Sequence, residues 1–352
     1  MKKNKPNVIS LYSGAGGLDV GLEEAGYHIA VAVDFDHDSC ETLRLNLKET
    51  EVIEGDIQQV TSEEILSKAK LTKGEADILV GGPPCQPFSK SAFWNGSKGL
   101  ADPRAVTLKE YVRVLKDTDP KFFILENVFG LSYKNNDDAF SFLKTEFHKL
   151  GYEINYKVLN TADFGVPQIR QRLIIIGSKR GKVDFPSPTH KNPDKKIGST
   201  LFSDKELPNY LTAKDAFKGL RSTFEEVPKE LKVEGKWGHL LPAIPPGENY
   251  LFYTEKKGHP DPLFEWRSRY WTFLLKLSPN KPSWTIQAQP GPYVGPFHWN
   301  NRRLTLDEKK RIQTFPDWYQ FVGNKTSVQR QIGNAVPAHL SRVLGEHLKK
   351  YL

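Results

Sequence analysis

Cysteine is scarce in this 352-residue sequence, which contains only Cys40 and Cys85. Two thiols cannot build a disulfide framework or a four-ligand zinc site, so each is expected to be either a core residue or a reactive group. The scarcity fits a reducing compartment. We therefore expect a cytoplasmic protein that holds no metal.

Long apolar segments are also missing. The N-terminal stretch MKKNKPNVISLYSGAGG is basic, but its apolar run is too short for a signal peptide. No later run approaches the roughly 20 residues of a membrane span. We therefore expect no association with a membrane.

Acidic residues are outnumbered by basic ones. Lys and Arg total 50 against 42 Asp and Glu, which gives a formal net charge of +8. A basic surface favours a polyanion over an acidic protein as partner. A solvated lysine-rich face has the same composition, so charge alone leaves both interpretations open.

Short β-rich apolar runs alternate with helical patterns between residues 7 and 177. This alternation predicts an α/β fold with a doubly wound, mostly parallel sheet, and ligands bind beyond the carboxyl ends of the strands in such sheets. The predicted strands are Val8–Tyr12, Ile29–Asp34, Asp77–Gly82, Lys121–Glu126, Ile154–Leu159 and Arg172–Gly177.

The composition changes after Gly177, where a segment rich in Pro and Lys predicts a domain boundary. We predict a first domain at 1–180, a smaller, irregular β-rich domain at 181–298, and a C-terminal segment at 299–352 that returns to the first domain. YWTFLLKL and SWTIQAQ are β-like pieces of the second domain. Asn334 is predicted to be the N-cap of the last helix.

A glycine-rich turn, SGAGGLDVG at Ser13–Gly21, follows the first strand and opens a helix. Such a turn lets the backbone approach a ligand, and Asp34 ends the next strand, where dinucleotide-binding folds place a ribose acceptor. Asp19 occupies the third glycine position of G-x-G-x-x-G, so a nucleoside cofactor other than a nicotinamide dinucleotide is favoured. A tight turn without a ligand stays open as an alternative.

Cys85 lies in the proline-rich turn GGPPCQPFSK at the end of an apolar strand. A position between two prolines, beside Gln86 and Ser89, argues against burial, so we predict an exposed thiol at the ligand edge of the sheet. Cys40 lies on a predicted helix and is assigned to the core.

Three charged residues lie at strand ends. Glu126 ends the apolar strand of FFILENV, where apolar surroundings favour a protonated carboxyl, although an ordinary strand-end acid is an alternative. Arg170 and Arg172 are two residues apart at a strand start, which predicts that they share one side of the pleat.

Six motifs occur in the order and approximate spacing of one known family: GAGGLD, GGPPCQPFS, ENV, QIRQR, RRLTLDE and IGNAVP. The sequence therefore resembles the cytosine-5 DNA methyltransferases of bacterial restriction-modification systems. The resemblance covers roughly residues 7–177 and 302–352, and the combination of motifs is highly specific.

The resemblance implies methyl transfer from S-adenosylmethionine to ring position 5 of a cytosine. The Cys85 thiolate would attack ring position 6, while Glu126 donates a hydrogen bond or proton to ring nitrogen 3. Arg172 would contact the cytosine oxygen and Arg170 would support the site, so both cations would oppose negative charge on the ring.

The resemblance also implies a site for S-adenosylmethionine. Its methionine part would be surrounded by the backbone of Tyr12, Ser13, Gly14, Ala15, Gly16, Gly17 and Leu18. The other implied contacts are Asp34 with the ribose hydroxyls, Phe35 against the adenine, Asp56 and Ile57 at the adenine edge, and Asn334 and Val336 from the far end of the chain. Asp56 has an alternative role as a helix cap. The chain departs from the family after 102–104, where AVTLKEY replaces the usual glycine and leucine.

The implied partner is double-stranded DNA, whose target base must leave the stack. A loop at Ser89–Arg104 is predicted to assist, and residues 181–298 correspond to the target-recognition domain of the family. The expected DNA contacts are Gln86, Ser89, Lys90, Lys98, Arg104, Arg267 and Arg269. For Arg267 and Arg269, an amphipathic strand with solvated arginines is an equal alternative.

Three other functions compete with this interpretation. A transfer-RNA cytosine methyltransferase shares the Pro-Pro-Cys-Gln core, but the long middle domain with its Trp and Arg residues favours DNA. Four intact residues argue against a silent DNA-binding relative: Cys85, Glu126, Arg170 and Arg172. Asp19 disfavours a nicotinamide oxidoreductase. We further expect a monomer, nucleoid association, and a cognate restriction endonuclease as a candidate partner.

Overall fold

The computed structural model describes residues 5–84, 106–128, 137–194, 207–221 and 223–352. Its strands are β1 (Asn7–Leu11), β2 (His28–Asp34), β3 (Glu51–Glu54), β4 (Ile78–Gly81), β5 (Phe122–Val128), β6 (Glu153–Asn160), β7 (Gln168–Ile169), β8 (Gln171–Ser178) and β9 (Ser283–Trp284). Its α-helices are α1 (Gly17–Glu24), α2 (His37–Asn46), α3 (Ser62–Ala69), α4 (Val106–Thr118), α5 (Asp137–Lys149), α6 (Ala213–Ala216), α7 (Leu306–Ile312), α8 (Lys325–Asn334) and α9 (Ala338–Leu348).

The central sheet has seven strands in the order β3-β2-β1-β4-β5-β8-β6. Strands β1 to β5 pair in parallel, and β8 runs antiparallel to both β5 and β6. From β1 the chain winds outward to β3, and from β4 it winds the other way, so the order reverses between β1 and β4. The predicted doubly wound, mostly parallel α/β sheet is confirmed, and its switch point lies where the first and fourth strands end.

Alternate residues of each central strand point to opposite faces and enter separate hydrophobic clusters. In β1, Ile9 and Leu11 belong to one cluster, while Val8 belongs to the other. All six predicted strands are present, with ends shifted by one or two residues. The sequence did not predict β3, a four-residue edge strand of sequence EVIE with only Ile53 buried.

The chain breaks between α8 and α9 at Pro337. Proline has no amide hydrogen and disfavours helical geometry in the residue before it, so α8 cannot continue through it. Asn334 is consequently the last residue of α8. Its predicted role as the N-cap of the last helix is wrong, since Pro337 holds that position.

Helix α9 lies directly against α1 because glycines leave room for its backbone. A Cβ atom on Gly17 would lie 2.2 Å from the Val336 carbonyl oxygen, and one on Gly21 would lie 2.1 Å from the Ala338 oxygen. Contacts this short are never found for real side chains. The C-terminal residues therefore meet the helix that follows the glycine-rich turn.

The described residues between 181 and 298 are irregular. β9 pairs with β7 in a two-stranded parallel sheet, and other pairing is limited to isolated bridges. The segment YWTFLLKL, predicted to be β-like, forms only isolated bridges at Phe273 and Lys276, and the Phe273 ring packs against Tyr250 and Phe264. The division at 180 and 298 stays a prediction, and one hydrophobic cluster contains residues from both sides of 298.

No helix within the described ranges is both long and apolar enough to cross a bilayer.

Candidate active site

The glycine-rich turn begins where β1 ends, beside the switch point of the sheet. Tyr12, Gly14 and Gly16 have φ values of 53°, 53° and 74°, so the backbone coils in the left-handed region. The side chain of Ser13 is turned inward, and its hydroxyl donates to Ser10 Oγ at 2.9 Å. The turn therefore presents mainly backbone to its open side.

Asp34, at the end of β2, connects this turn to the next one. Its Oδ2 accepts from the Gly14 amide at 2.8 Å, and its Oδ1 accepts from the Asp36 amide at 2.9 Å. Burial raises the pKa of Asp34, and the two amides oppose that rise. Each carboxylate oxygen keeps a further lone pair, so Asp34 can still accept from a pair of ligand hydroxyls.

A flat apolar surface and a polar turn lie next to Asp34. Phe35 follows it directly, and its side chain is 71% exposed, which is unusual for a phenylalanine. Asp56 is exposed and its Oδ1 accepts from the Gln58 amide at 3.0 Å, while Ile57 is buried. This bond lies in a turn and caps no helix, because the next helix begins at Ser62 with Thr61 as its N-cap, and the contact of Asp56 with an adenine stays a prediction.

The far end of the chain closes the other side of the turn. The Val336 carbonyl meets Gly17, and Tyr319 donates its hydroxyl to the Ala15 oxygen at 2.7 Å. Asn334 is exposed. Sequence reasoning did not single out Tyr319, since nothing in TFPDWYQF indicates a partner more than 300 residues away.

These groups fit a nucleoside with a free ribose diol: open backbone at a glycine-rich turn, a carboxylate with acceptor capacity, and an exposed ring beside it. Cys40 lies beneath Asp34, and its thiol is 3.4 Å from the Asp34 carbonyl oxygen. Burial raises the pKa of Cys40 to about 12. The prediction that Cys40 is a core thiol is confirmed.

The cysteine turn follows β4 on the other side of the switch point. Cys85, Gln86, Ser89, Lys90, Lys98 and Arg104 lie outside the described residues. The two prolines before Cys85 are anchored, because Asn127 Nδ2 donates to the Pro83 oxygen at 3.2 Å and Thr107 Oγ1 donates to the Pro84 oxygen at 3.1 Å.

The same threonine connects the two turns. Tyr12 donates its hydroxyl to the Thr107 carbonyl oxygen at 2.7 Å, and burial raises the pKa of Tyr12. Thr107 belongs to AVTLKEY, where the sequence departs from the family pattern. In this chain the departure therefore provides a bridge between the glycine-rich turn and the residue before Cys85.

Glu126 forms an ion pair with Arg172 across the β5–β8 ladder. Arg172 Nε is 2.7 Å from Glu126 Oε1, and the side chains are only 14% and 12% exposed. Burial lowers the pKa of Arg172, and Glu126 opposes that change. A Cβ atom on Gly82 would lie 2.9 Å from Glu126 Oε2, so the carboxyl lies between the arginine and the turn that leads to Cys85. The sequence indicated only apolar surroundings for the Glu126 carboxyl and did not predict its ion pair with Arg172.

Arg170 does not join this pair. It is 2% exposed, and its guanidinium donates to the carbonyl oxygens of Ile286 at 3.4 Å and Gly333 at 3.0 Å. Arg170 lies between β7 and β8, one residue before the strand that carries Arg172, so the expectation that the two share one side of the pleat stays a prediction. The geometry gives Arg170 a supporting position and leaves Arg172 beside the carboxyl.

Arg267 and Arg269 are exposed and lie in the irregular part of the chain, outside any strand of the described residues. Trp284, which sequence reasoning did not single out, lies in β9. In the β7–β9 pair Trp284 lies opposite Ile169, the residue that precedes Arg170.

Comparison with known proteins gives a consistent picture. Residues 6–350 match the family model described as C-5 cytosine-specific DNA methylase. The type II methyltransferase M.SacI of Streptomyces achromogenes is 42% identical, with 98% of this chain and 93% of the relative covered. M.NgoFVII of Neisseria gonorrhoeae, also a type II methyltransferase, is 36% identical, with 95% and 84% covered.

Solved structures share the fold at lower identity. A putative DNA modification methyltransferase encoded within an E. coli prophage aligns with a TM-score of 0.70 at 23% identity, covering 98% of this chain and 99% of that one. The Entamoeba histolytica methyltransferase EhMeth aligns with a TM-score of 0.64 at 18% identity, covering 99% of both chains.

Proposed function

Because the chain belongs to the C-5 cytosine-specific DNA methylase family and is a DNA cytosine-5 methyltransferase of the type II restriction-modification kind, we propose that it methylates an extruded cytosine through a covalent bond to Cys85. The observation that supports this most directly is the position of the Glu126 carboxyl, which lies between Arg172 and Gly82. Gly82 precedes Cys85 by three residues. An acid and a cation are thus held beside the turn that carries the thiol.

In the proposed reaction, the Cys85 sulfur bonds to ring position 6 of the cytosine, and ring electrons move so that position 5 becomes nucleophilic. Glu126 donates a hydrogen bond or proton to ring nitrogen 3, which neutralises the negative charge that the attack places on the ring. S-adenosylmethionine, when bound, would supply the electrophilic methyl group and be released as S-adenosylhomocysteine. Position 5 then loses its proton to water, the carbon–sulfur bond breaks to restore the thiolate, and nitrogen 3 returns its proton to Glu126.

Arg172 has a donor available for the base. Its Nε bonds to Glu126 and its Nη1 donates to the Gln171 carbonyl oxygen at 2.8 Å. Nη2 is the donor that we assign to the cytosine oxygen, where a cation opposes developing negative charge. Arg170 supports this arrangement by fixing the start of β8 to the segment at Ile286 and to the end of α8.

S-adenosylmethionine would be held at the glycine-rich turn. Asp34 would accept from the ribose hydroxyls and Phe35 would cover the adenine, since the first keeps acceptor capacity and the second is exposed. The other proposed contacts are the backbone of Tyr12, Ser13, Gly14, Ala15, Gly16, Gly17 and Leu18, with Asp56, Ile57, Asn334 and Val336.

The DNA-facing part of the proposal concerns base extrusion and target choice. The loop at Ser89–Arg104 would help to extrude the base, with Gln86, Ser89, Lys90, Lys98 and Arg104 at the duplex, and residues 181–298 would recognise the target. Arg267 and Arg269 are exposed cations suited to phosphates or guanine edges. We further propose that the chain acts as a monomer in the cytoplasm, at the nucleoid. The type II designation of its bacterial relatives supports the proposal of a cognate endonuclease.

The decisive experiment uses duplex DNA that contains 5-fluorocytosine. The purified chain, incubated with S-adenosylmethionine, should form a covalent complex that survives denaturing electrophoresis, and Cys85→Ala should form none. Cys40→Ala, which removes the other thiol, is the matched control and should still be trapped. A Cys85→Ala variant that methylates DNA as fast as the parent would contradict the mechanism.

A parallel measurement separates the substrate classes. Tritium from labelled S-adenosylmethionine should enter duplex DNA and not transfer RNA. Bisulfite mapping of DNA from cells that express the chain should then reveal one methylated sequence. If tritium entered transfer RNA alone, the substrate would be transfer RNA and the proposal of DNA would be wrong.

A further inference from the structure

The exposed tryptophans of the irregular part line an open pocket of about 510 Å³. The pocket is lined by Trp266, Trp271, Arg267 and Arg269, by Tyr250 and Leu251, and by Glu248 and Lys257, which form an ion pair with each other. A pocket of this size accepts a small planar molecule, and its aromatic walls with guanidinium groups at the rim suit a nucleobase attached to phosphate.

The pocket is rigidly supported from below. Tyr250 is 1% exposed, and its hydroxyl donates to the Arg269 carbonyl at 2.8 Å while it accepts from the Arg269 amide at 3.1 Å. Asn249 Nδ2 donates to the Trp271 oxygen at 2.7 Å. Edge-to-face contacts of Tyr250 with Phe264 and Phe273 hold the tyrosine itself. Such support is typical of a binding site and unnecessary for a surface loop.

The charges and backbone of the pocket also indicate a ligand. Arg267 has a φ of 61°, a left-handed conformation that a non-glycine residue adopts only when its surroundings impose it. Among the residues that the structure describes, no carboxylate forms an ion pair with Arg267 or Arg269, and their guanidinium groups lie near the rings of Trp266 and Phe273. These cations are therefore available to an anionic partner.

The pocket connects to the catalytic strand. Trp271 contacts Trp284 edge to face, with ring centroids 5.9 Å apart. Trp284 lies in β9, which pairs with β7 immediately before Arg170 and Arg172. Trp284 therefore connects the pocket to the strand that precedes Arg170.

We propose that this pocket receives a base of the target duplex other than the methylated cytosine, stacked on Trp271 and contacted at its edge by Arg267 or Arg269. The proposal rests on the proposed function, since it needs a duplex bound at the active site. The pocket then contributes to sequence selectivity, because only a DNA sequence that places a suitable base in the pocket gains the stacking interaction with Trp271.

The test compares Trp271→Ala with Trp318→Ala. The two tryptophans are 51% and 56% exposed, and Trp318 lies between α7 and α8, so it is a matched control for the loss of a surface indole. Affinity is measured for a duplex with the mapped methylation site and for a scrambled duplex at one salt concentration. Unfolding temperatures show whether each variant is folded.

Stacking on an aromatic side chain contributes about 1–3 kcal/mol per base, so Trp271→Ala should weaken binding of the site-bearing duplex by about 5- to 150-fold. Binding of the scrambled duplex should change little. Trp271→Phe, which keeps a stacking face, should recover most of the loss. Methylation of a library with randomised sites should show relaxed selection at one position besides the target cytosine.

Two results would overturn the proposal. One is a Trp271→Ala variant that binds both duplexes as Trp318→Ala does. The other is an equal loss on both duplexes, which would mean that Trp271 affects DNA binding without reading the site. Failure of the parent chain to methylate any duplex would instead overturn the proposed function, so the two failures are distinguishable.

Discussion

At the residue scale, the proposed mechanism depends on the Glu126–Arg172 ion pair. Glu126→Gln keeps the size of the side chain and removes its acid, so methyl transfer should slow by about 10²- to 10⁴-fold, the usual contribution of a general acid. Duplex affinity should change little. Single-turnover methylation, with the protein in excess over the DNA, measures the chemical step directly.

Glu146→Gln is the matched control for that change. Glu146 pairs with Lys149 on the surface of α5, away from the switch point. Its loss should leave the methylation rate unaltered. Equal rates for Glu126→Gln and the parent would remove Glu126 from the mechanism.

Asp19, inside the helix that follows the glycine-rich turn, makes stability depend on pH. Burial raises its pKa to about 7, Glu23 and Asp34 add to the rise, and Ser10 opposes it. Because the folded pKa is above the unfolded one, this stabilisation is complete below about pH 4 and is lost as pH rises through 7. The loss by pH 8 is up to about 4 kcal/mol.

Asp19→Asn should flatten this dependence. Urea unfolding at pH 5 and pH 8 compares the two proteins, and the difference between them cancels the titration of all other groups. The parent should lose more stability between these pH values than the variant. Identical losses would show that Asp19 does not titrate in this range.

At the element scale, the motif RRLTLDE supplies both partners of a buried ion pair at the start of α7. Arg302 Nη1 and Nη2 lie 2.8 and 2.6 Å from the two Glu308 oxygens, and both side chains are essentially inaccessible. Glu308 also accepts from the Thr305 amide, which completes a capping box. The motif therefore fixes the entry into the C-terminal segment.

Glu308→Gln should destabilise the fold by about 3–5 kcal/mol, because it leaves a buried arginine without its partner charge. Asp317→Asn, which breaks the exposed pair with Arg311, is the control and should cause only a small loss. Urea midpoints for the two variants give the comparison. A Glu308→Gln midpoint close to that of Asp317→Asn would contradict a structural role for the pair.

The contact between α1 and α9 gives another prediction. Alanine normally stabilises a helix relative to glycine, but at Gly21 the added carbon would meet the Ala338 carbonyl. Gly21→Ala should therefore destabilise by about 1–3 kcal/mol. Gly291→Ala, whose Cβ would lie 3.5 Å from its nearest neighbour, should be nearly neutral in the same thermal unfolding assay.

The sequence predicted elements well where one local rule decides the outcome. Six strands were predicted from buried apolar runs, and Asp34 and Glu126 were identified because they end two of the predicted strands. The irregular part follows no such rule, since rings such as Phe264 and Phe273 pack on each other in place of a backbone ladder. The carbonyl partners of Arg170 lie more than 100 residues away, so no local pattern indicates them.

At the scale of the whole molecule, the sheet reversal brings the glycine-rich turn close to the residues that precede Cys85. The glycine-rich turn ends β1 and the cysteine turn follows β4, and these strands are neighbours. Thr107 joins the turns through Tyr12 and Pro84. The arrangement follows from the winding of the sheet, which the alternation of strands and helices already indicated.

The close approach of Val336 to Gly17 joins two parts of the chain that lie more than 300 residues apart in the sequence. The glycine-rich turn is translated well before Val336, so a nascent chain that has not yet reached Val336 cannot complete this contact. Truncation before Val336 should therefore abolish methyl transfer, although every residue proposed to act on the base would be present.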